Sequence, residues 1–258
     1  MARPLLDPPS PAWKRDLPGP NEVPERPPQA SYFGYPPNHK DESYLELSRS
    51  TLLWRGVLVW IGTLCLGVTV VLLFTLANAI AAGDIEIVLA GLATVAVGAL
   101  ASGVMIRHDL TPPRDEPIRF NRQRRKVYVY RFHHCWWNPF DSKRWGVRPV
   151  VYNWDDLRAE VYSVYVPTVT YNTGVSIAVV KPDTNQVIER FCLSHHATAE
   201  RDWALAQVFM QQGPHALPKF DRPPRDWNNE DPGLNLARRF APKVAWPVDM
   251  DIESRTAP

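Results

Sequence analysis

Two short clusters of histidine and cysteine are the residues of this sequence best suited to bind a metal ion. They are His133-His134-Cys135 and Cys192-Leu193-Ser194-His195-His196. Thiolates and imidazoles are the usual ligands of tetrahedral zinc. Neither cluster has the Cys-x-x-Cys spacing of a zinc ribbon, and adjacent residues of a strand point to opposite faces. We therefore expect no metal, and a site built on Cys135, Cys192 and His195 stays open as an alternative.

Candidate catalytic groups are sparse. Asp155-Asp156 is a close carboxylate pair, but Arg158 lies beside it and a strand pattern follows, which is typical of a solvated turn. The sequence has no nucleophile elbow, Walker loop, dinucleotide fingerprint or His-Glu-x-x-His helix. We expect a protein that is not an enzyme and uses no cofactor.

Aromatic and basic side chains are the better candidates for binding. Tyr, Trp and Arg dominate the energetics of protein interfaces, so Trp136, Trp137 and Trp145 are candidate contacts for a protein partner. A basic run follows the apolar part of the chain and could contact either a partner or anionic lipid headgroups. Its members are Arg119, Arg122, Arg124, Arg125 and Lys126. The chain has 29 basic and 27 acidic residues, and this near balance does not favour nucleic acid as a partner.

Two long apolar segments position these groups. Residues 56–82 and 87–106 carry no charged side chain, and each is long enough to cross a hydrocarbon core of about 30 Å as a helix. Small residues at every fourth position of the second segment should let the two helices pack closely. These are Ala90, Thr94, Gly98 and Ser102, with Gly62 and Gly67 as flat surface on the first segment.

The flanking charges predict an orientation. Lys40, Arg49 and Arg55 precede the first segment, and Arg107, Arg114 and the basic run follow the second, whereas the connecting turn has only Asp84 and Glu86. Because basic residues stay on the cytoplasmic side, both termini are expected in the cytoplasm.

Composition divides the rest of the chain. Residues 1–40 contain eleven of the 26 prolines and few aliphatic residues, which predicts a disordered tail. Residues 41–55 form a juxtamembrane segment, residues 114–213 a cytoplasmic β-rich domain, and residues 214–258 a second Pro-rich tail that lies over the domain or on a partner.

Alternation predicts strands over residues 118–121, 126–132, 149–153, 158–166, 174–180 and 187–193. A helix with the apolar stripe Ala199, Trp203, Ala206 and Met210 closes the domain before Gly213-Pro214. The predicted fold is a membrane α-hairpin plus an α+β cytoplasmic domain. That domain is a small antiparallel β-barrel or sheet capped by one C-terminal helix, in the order of pleckstrin-homology-like domains.

Several motifs together resemble a known family. They are residues 43–47 (Ser-Tyr-Leu-Glu-Leu), the two spans, residues 119–128, residues 151–157 and the Trp203 helix that ends with Phe209-Met210. The pattern is similar to a domain-of-unknown-function family of two-span proteobacterial inner-membrane proteins, often encoded near type VI secretion genes. The resemblance implies an inner-membrane location and an immunity or accessory role toward a secreted toxin. It implies no catalytic residues.

Two functional hypotheses follow from the sequence. In the first, the hairpin holds the β-rich domain at the inner membrane, where it binds a protein partner such as a toxin or a secretion component. In the alternative, the basic run makes the domain a module that binds or senses lipid headgroups.

Overall fold

The elements of the chain are known from a computed structural model, which describes residues 3–28, 36–49, 55–135, 141–166, 169–194 and 199–258. The helices are α1 (Val57–Ala82), α2 (Ile85–Leu110), α3 (Ala199–Gln212), α4 (Leu236–Phe240) and α5 (Val248–Arg255). The strands are β1 (Trp13–Asp16), β2 (His39–Lys40), β3 (Tyr44–Leu47), β4 (Ile118–Asn121), β5 (Lys126–Val129), β6 (Phe132–His133), β7 (Gly146–Val147), β8 (Val150–Asn153), β9 (Leu157–Val166), β10 (Val169–Val180) and β11 (Val187–Ser194).

The two apolar segments form a hairpin of helices, α1 and α2, each long and apolar enough to cross a membrane. Few of their residues are buried within the chain, and large side chains such as Leu64 and Phe74 are each 70% exposed. A core helix of a soluble domain buries such side chains. The hairpin therefore has the surface of a membrane-spanning element.

Small residues bring α1 and α2 together, but not along the whole predicted ridge. A Cβ at Gly98 would lie 2.5 Å from Thr69 Oγ1, and Ser102 is buried, so this half of the ridge is in contact. Ala90 and Thr94 are exposed instead. Residues on one face of a helix are separated alternately by three and four residues. A row of residues separated always by four therefore drifts around the helix and leaves the face that contacts the partner helix.

Glycines of both helices complete the contact. A Cβ at Gly62 would lie 2.8 Å from Ile106 Cγ1, and one at Gly91 would lie 2.8 Å from Leu76 Cδ1. Gly67, which the sequence suggested as a second flat surface on α1, has nothing within 4 Å of its Cβ position.

The hairpin is an insertion within a β-sheet. β3 lies before α1 and β4 lies after α2, and the two strands pair antiparallel with Tyr44 opposite Asn121 and Leu47 opposite Ile118. Residues 44–47, expected as part of the juxtamembrane segment, are thus a strand of the domain. Both helices therefore leave the domain from neighbouring strands on the same side.

The strands form antiparallel sheets, as the sheet form of the prediction has it, and the described strands close no barrel. Among the described strands, one sheet has the order β2-β3-β4-β5-β8 and another the order β1-β9-β10-β11, with β6 and β7 as a separate pair. The Arg49 side chain joins the two large sheets, because it bonds carbonyls next to the first sheet and in β11 of the second. It donates to the carbonyls of Glu116 (2.8 Å), Tyr130 (2.7 Å) and Cys192 (3.0 Å). A buried guanidinium, whose pKa is lowered by burial, joins the two sheets at this seam.

The apolar core lies between the two large sheets and α3. Its largest fully buried side chains include Trp154, Trp203, Phe120 and Phe209. The predicted stripe of α3 is buried throughout, as its helical spacing requires. The two tryptophan rings lie 5.0 Å apart at the centre.

The N-terminal segment differs from the expected disordered tail. β1 pairs with β9, with Trp13 opposite Tyr162 and Asp16 opposite Glu160. Further along, Trp203 Nε1 donates to the Pro18 carbonyl (3.0 Å). Prolines lack the N–H group that strand ladders need, but their carbonyls still accept side-chain hydrogen bonds. Residues 29–35 of this tail lie outside the described ranges.

Candidate functional site

A cleft of about 620 Å³ lies between the first sheet and the C-terminal part of the chain. We call residues 221–258 the cover, because this segment forms the outer wall of the cleft. The lining includes Tyr44, Asp115, Arg119, Trp227, Trp246 and Asp251. The sequence predicted that residues 214–258 lie over the domain or on a partner, and the cover lies over the domain.

Arg119 is the central side chain of the cleft. On β4, Ile118 and Phe120 face the apolar core, so Arg119 and Asn121 point to the opposite face, where the cover buries them. Arg119 is 3% exposed.

The Arg119 guanidinium joins the sheet to the cover. Nε donates to Glu46 Oε2 (2.6 Å), and Nη1 donates to Asp251 Oδ1 (2.7 Å) and Ser254 Oγ (2.8 Å). The ring of Trp246 lies 4.5 Å from the guanidinium carbon. Loss of Arg119 would leave the charges of Glu46 and Asp251 without their partner, which is costly for a buried ion pair. Arg119 therefore helps to hold the cover against the sheet.

A second network runs through Asn38. Its Nδ2 donates to Asp115 Oδ2 (2.9 Å) and to Glu46 Oε1 (3.3 Å), and its Oδ1 accepts from Trp227 Nε1 (2.9 Å). Ser48 Oγ also donates to Asp115, at 2.8 Å. Burial raises the pKa of Asp115 to about 6, despite these hydrogen bonds to its carboxylate. The cleft therefore contains a carboxyl group that titrates close to neutral pH.

The cover is attached mainly by polar contacts. Lys126 Nζ donates to Glu253 (2.6 Å), and Asn121 Nδ2 donates to the carbonyls of Ser254 (3.1 Å) and Thr256 (3.0 Å). Within residues 221–258, all of which the structure describes, no side chain belongs to the main apolar core. Two apolar side chains of α5 point outward, since Val248 is 72% and Ile252 58% exposed.

The predicted basic run is thus largely engaged within the chain. Arg119 and Lys126 contact carboxylates of Glu46, Asp251 and Glu253 as described. Arg124 Nε donates to the Thr256 carbonyl (3.0 Å), and Arg125 donates to Asp155 and to Asn21 Oδ1 (2.6 Å). The guanidinium of Arg122 lies against Gly213 at the end of α3.

Trp145 lies in an aromatic cluster at the end of α2. Its ring is 5.1 Å from His108 and 5.8 Å from His134, and the Arg107 guanidinium lies 4.9 Å above it. Trp145 is only 8% exposed, so it packs the β6–β7 pair against the hairpin and offers little surface to a protein partner. Trp136 and Trp137 lie outside the described residues.

The cysteines and histidines lie in different surroundings. Cys192 Sγ is 3.5 Å from the Tyr162 hydroxyl on the sheet of β9–β11, whereas His134 packs against His108. Over the described ranges, no three His, Cys, Asp or Glu side chains are grouped closely enough to hold a metal ion. His195 lies outside these ranges.

Sequence reasoning found Arg119 but missed Asn38, Glu46, Asp115 and Asp251. The available signal was the alternation of Arg119 and Asn121 with Ile118 and Phe120, which puts two polar side chains on one face of an otherwise apolar strand. Such a strand needs either solvent or a polar cover on that face. The identity of the cover could not be read from the alternation alone.

Comparison with known proteins identifies one family. A model described as a family of unknown function, DUF6708, matches residues 96–232, more than half of the chain. The matched region extends from the second half of α2, through β4 to β11 and α3, into the cover, and it leaves out β1 to β3 and α1. No curated protein and no solved structure matches the chain.

Proposed function

We propose that this chain, which belongs to the DUF6708 family of unknown function, is a non-enzymatic interaction protein of a bacterial inner membrane. In this proposal α1 and α2 hold the β-rich domain at the cytoplasmic face, where the cleft binds a protein partner. Confinement to the membrane raises the effective concentration of the domain near any membrane-associated partner.

The hairpin supports the membrane part of the proposal. Its large apolar side chains are exposed, and its two ends continue directly into the paired strands β3 and β4. Arg55, Arg107 and Arg114 lie at these ends, while the α1–α2 turn carries Asp84 and Glu86. By the positive-inside bias, the domain and both termini are cytoplasmic.

The cover supports the partner-binding part, and it is the single observation that carries it. Within the cover, α5 is held over a buried arginine by carboxylates and backbone carbonyls, and it can be exchanged for a partner segment that offers the same acceptors. No apolar core has to be broken for this exchange, because α5 contributes no side chain to the main core and Ser254 is its buried residue.

The alternative headgroup-binding module has less support. Arg119, Arg124, Arg125 and Lys126 already contact acceptors of the same chain, so less of their charge is open to lipid.

A pleckstrin-homology-like arrangement is also part of the proposal. We propose that β3, β4, β5 and β8, then β9 to β11, then α3, form an open variant of it.

The test is affinity capture from membranes in mild detergent with wild-type protein and three variants. Arg119→Met and Trp246→Ala alter the cleft, and Lys181→Met changes an exposed lysine in the β10–β11 turn as a control. We expect one reproducible partner whose recovery falls about tenfold with both cleft variants and is unchanged with the control. Thermal melts of each variant distinguish lost binding from lost folding. Absence of any reproducible partner contradicts the proposal.

The partner class follows from the family resemblance, and we propose a toxin or a type VI secretion component. An immunity role predicts that cells producing this chain survive a toxin encoded beside it, whereas cells producing Arg119→Met do not. An accessory role predicts that cells producing Arg119→Met lose secretion of the toxin but still survive.

A further inference from the structure

The turn that leads into α4 carries the most exposed large apolar side chain that the structure describes. Leu234 is 93% exposed, and Phe240, at the end of α4, is 67% exposed. The inner face of the same short helix is buried, since Ala237 is 0% and Arg238 9% exposed. The segment is therefore fixed in place, with its apolar side chains directed away from the domain.

This segment is bound to the base of the hairpin. Asn235 Nδ2 donates to the Arg55 carbonyl (2.7 Å), and Asn235 Oδ1 accepts from the Arg238 N–H (3.0 Å) at the start of α4. Gly56 has a left-handed φ of +101°, and a Cβ there would lie 2.9 Å from Asn235 Oδ1. The contact between the cover and the start of α1 is thus too close for any larger residue.

The base itself marks the level at which both helices leave the domain. Asp109, near the end of α2, accepts from the backbone N–H groups of Gly56 (2.7 Å) and Val59 (3.2 Å), so it satisfies donors at the start of α1. Arg55 donates to the carbonyls of Pro112 and Pro113 just beyond α2. The first residue of α1 and the last residues of α2 therefore lie side by side.

We propose that residues 234–240 are an interfacial anchor whose occupant is the lipid bilayer, with Leu234 and Phe240 inserted at the boundary of headgroups and acyl chains. The proposal rests on the membrane part of the proposed function. If α1 and α2 cross the bilayer, the membrane surface passes through their base, and any group bonded to Arg55 lies at that depth. Exposed apolar side chains beside an exposed Arg239 are the pattern of an interfacial segment.

The test measures where single spin labels lie on the full chain in nanodiscs of phosphatidylethanolamine and phosphatidylglycerol. Cys65, Cys135 and Cys192 are first replaced by Ala, and one cysteine is then introduced for the label. The test positions are Leu234→Cys and Phe240→Cys, with Leu64→Cys on α1 and the exposed Val23→Cys and Ile188→Cys as references. Collisions with oxygen report lipid, and collisions with a water-soluble nickel chelate report solvent.

We expect both test labels and the α1 label to favour oxygen, and the labels at residues 23 and 188 to favour the nickel chelate. An α1 label in lipid with either test label in water overturns the anchor and leaves the membrane attachment intact. An α1 label in water overturns the membrane attachment itself. Melting curves of each labelled protein confirm that the substitutions at these exposed positions preserve the fold.

Discussion

α3 and the α1–α2 hairpin both carry many apolar side chains, and they place them in opposite ways. α3 buries Trp203, Leu205 and Phe209 against two sheets. The hairpin leaves Leu64 and Phe74 exposed, and most of the residues buried at its internal contact are small or polar. Water stabilises the first arrangement and disfavours the second. This contrast is expected if the domain is surrounded by water and the hairpin by lipid.

The largest expected effect comes from the domain side of the comparison. Trp203→Ala should reduce the free energy of unfolding of the domain by about 3–5 kcal/mol, because it leaves a cavity beside Trp154. Phe74→Ala, on the outer face of α1, should change the same quantity by about 0.5 kcal/mol or less. Denaturant unfolding in nanodiscs, followed by near-UV circular dichroism, measures both. Equal losses would remove the distinction between the two regions.

A charge on the outer face of α1 gives the next largest effect. Val71→Arg should oppose membrane insertion by about 3 kcal/mol and deplete the protein from the membrane fraction. Ile188→Arg is the matched control, since Val71 is 61% and Ile188 68% exposed. In water both changes would be harmless surface substitutions. An unchanged membrane fraction for Val71→Arg is the contrary result.

Helix contact inside the hairpin gives a smaller effect. Gly98→Ala should weaken the α1–α2 pairing by about 1–3 kcal/mol, because the new methyl group meets Thr69. Gly103→Ala should be neutral, since nothing lies within 4 Å of a Cβ there. Unfolding of each variant in mixed micelles compares them. A hairpin insensitive to both changes would show that the close approach does not stabilise it.

The smallest effect is a pH dependence of the domain. The pKa of Asp115 is raised to about 6 by burial, so the folded state holds its proton at pH values where the unfolded chain has lost it. This carboxyl group makes the fold more stable at pH 5 than at pH 7, by roughly 1 kcal/mol, with the loss occurring as pH rises through 6. Asp115→Asn should flatten that slope, whatever its effect on absolute stability. If stability depends on pH with the same slope in wild type and variant, a group other than Asp115 is responsible for it.

Local patterns were sufficient for the parts of the fold that depend on neighbours in sequence. Alternation predicted the strands at 118–121 and 187–193, and helical spacing predicted the α3 stripe with its end at Gly213. These features follow from side-chain periodicity, which is visible in a short window. The two apolar helices were predictable from the length of their uncharged runs, which is likewise a local property of the sequence.

The remaining features depend on partners far away in sequence. Arg49 bonds the Cys192 carbonyl, Asn235 bonds the Arg55 carbonyl, and Arg119 bonds Asp251. No periodicity specifies such pairs. The strand β1 was missed because a proline-rich composition predicts disorder. The carbonyls of this segment accept hydrogen bonds from donors far away in the sequence, which composition does not reveal.

Extraction of membranes with alkaline carbonate tests most directly whether the hairpin is embedded in lipid. The protein should remain in the pellet with the bilayer, and a protease added to intact spheroplasts should leave both termini uncut. Release of the full chain into the carbonate supernatant would contradict the account.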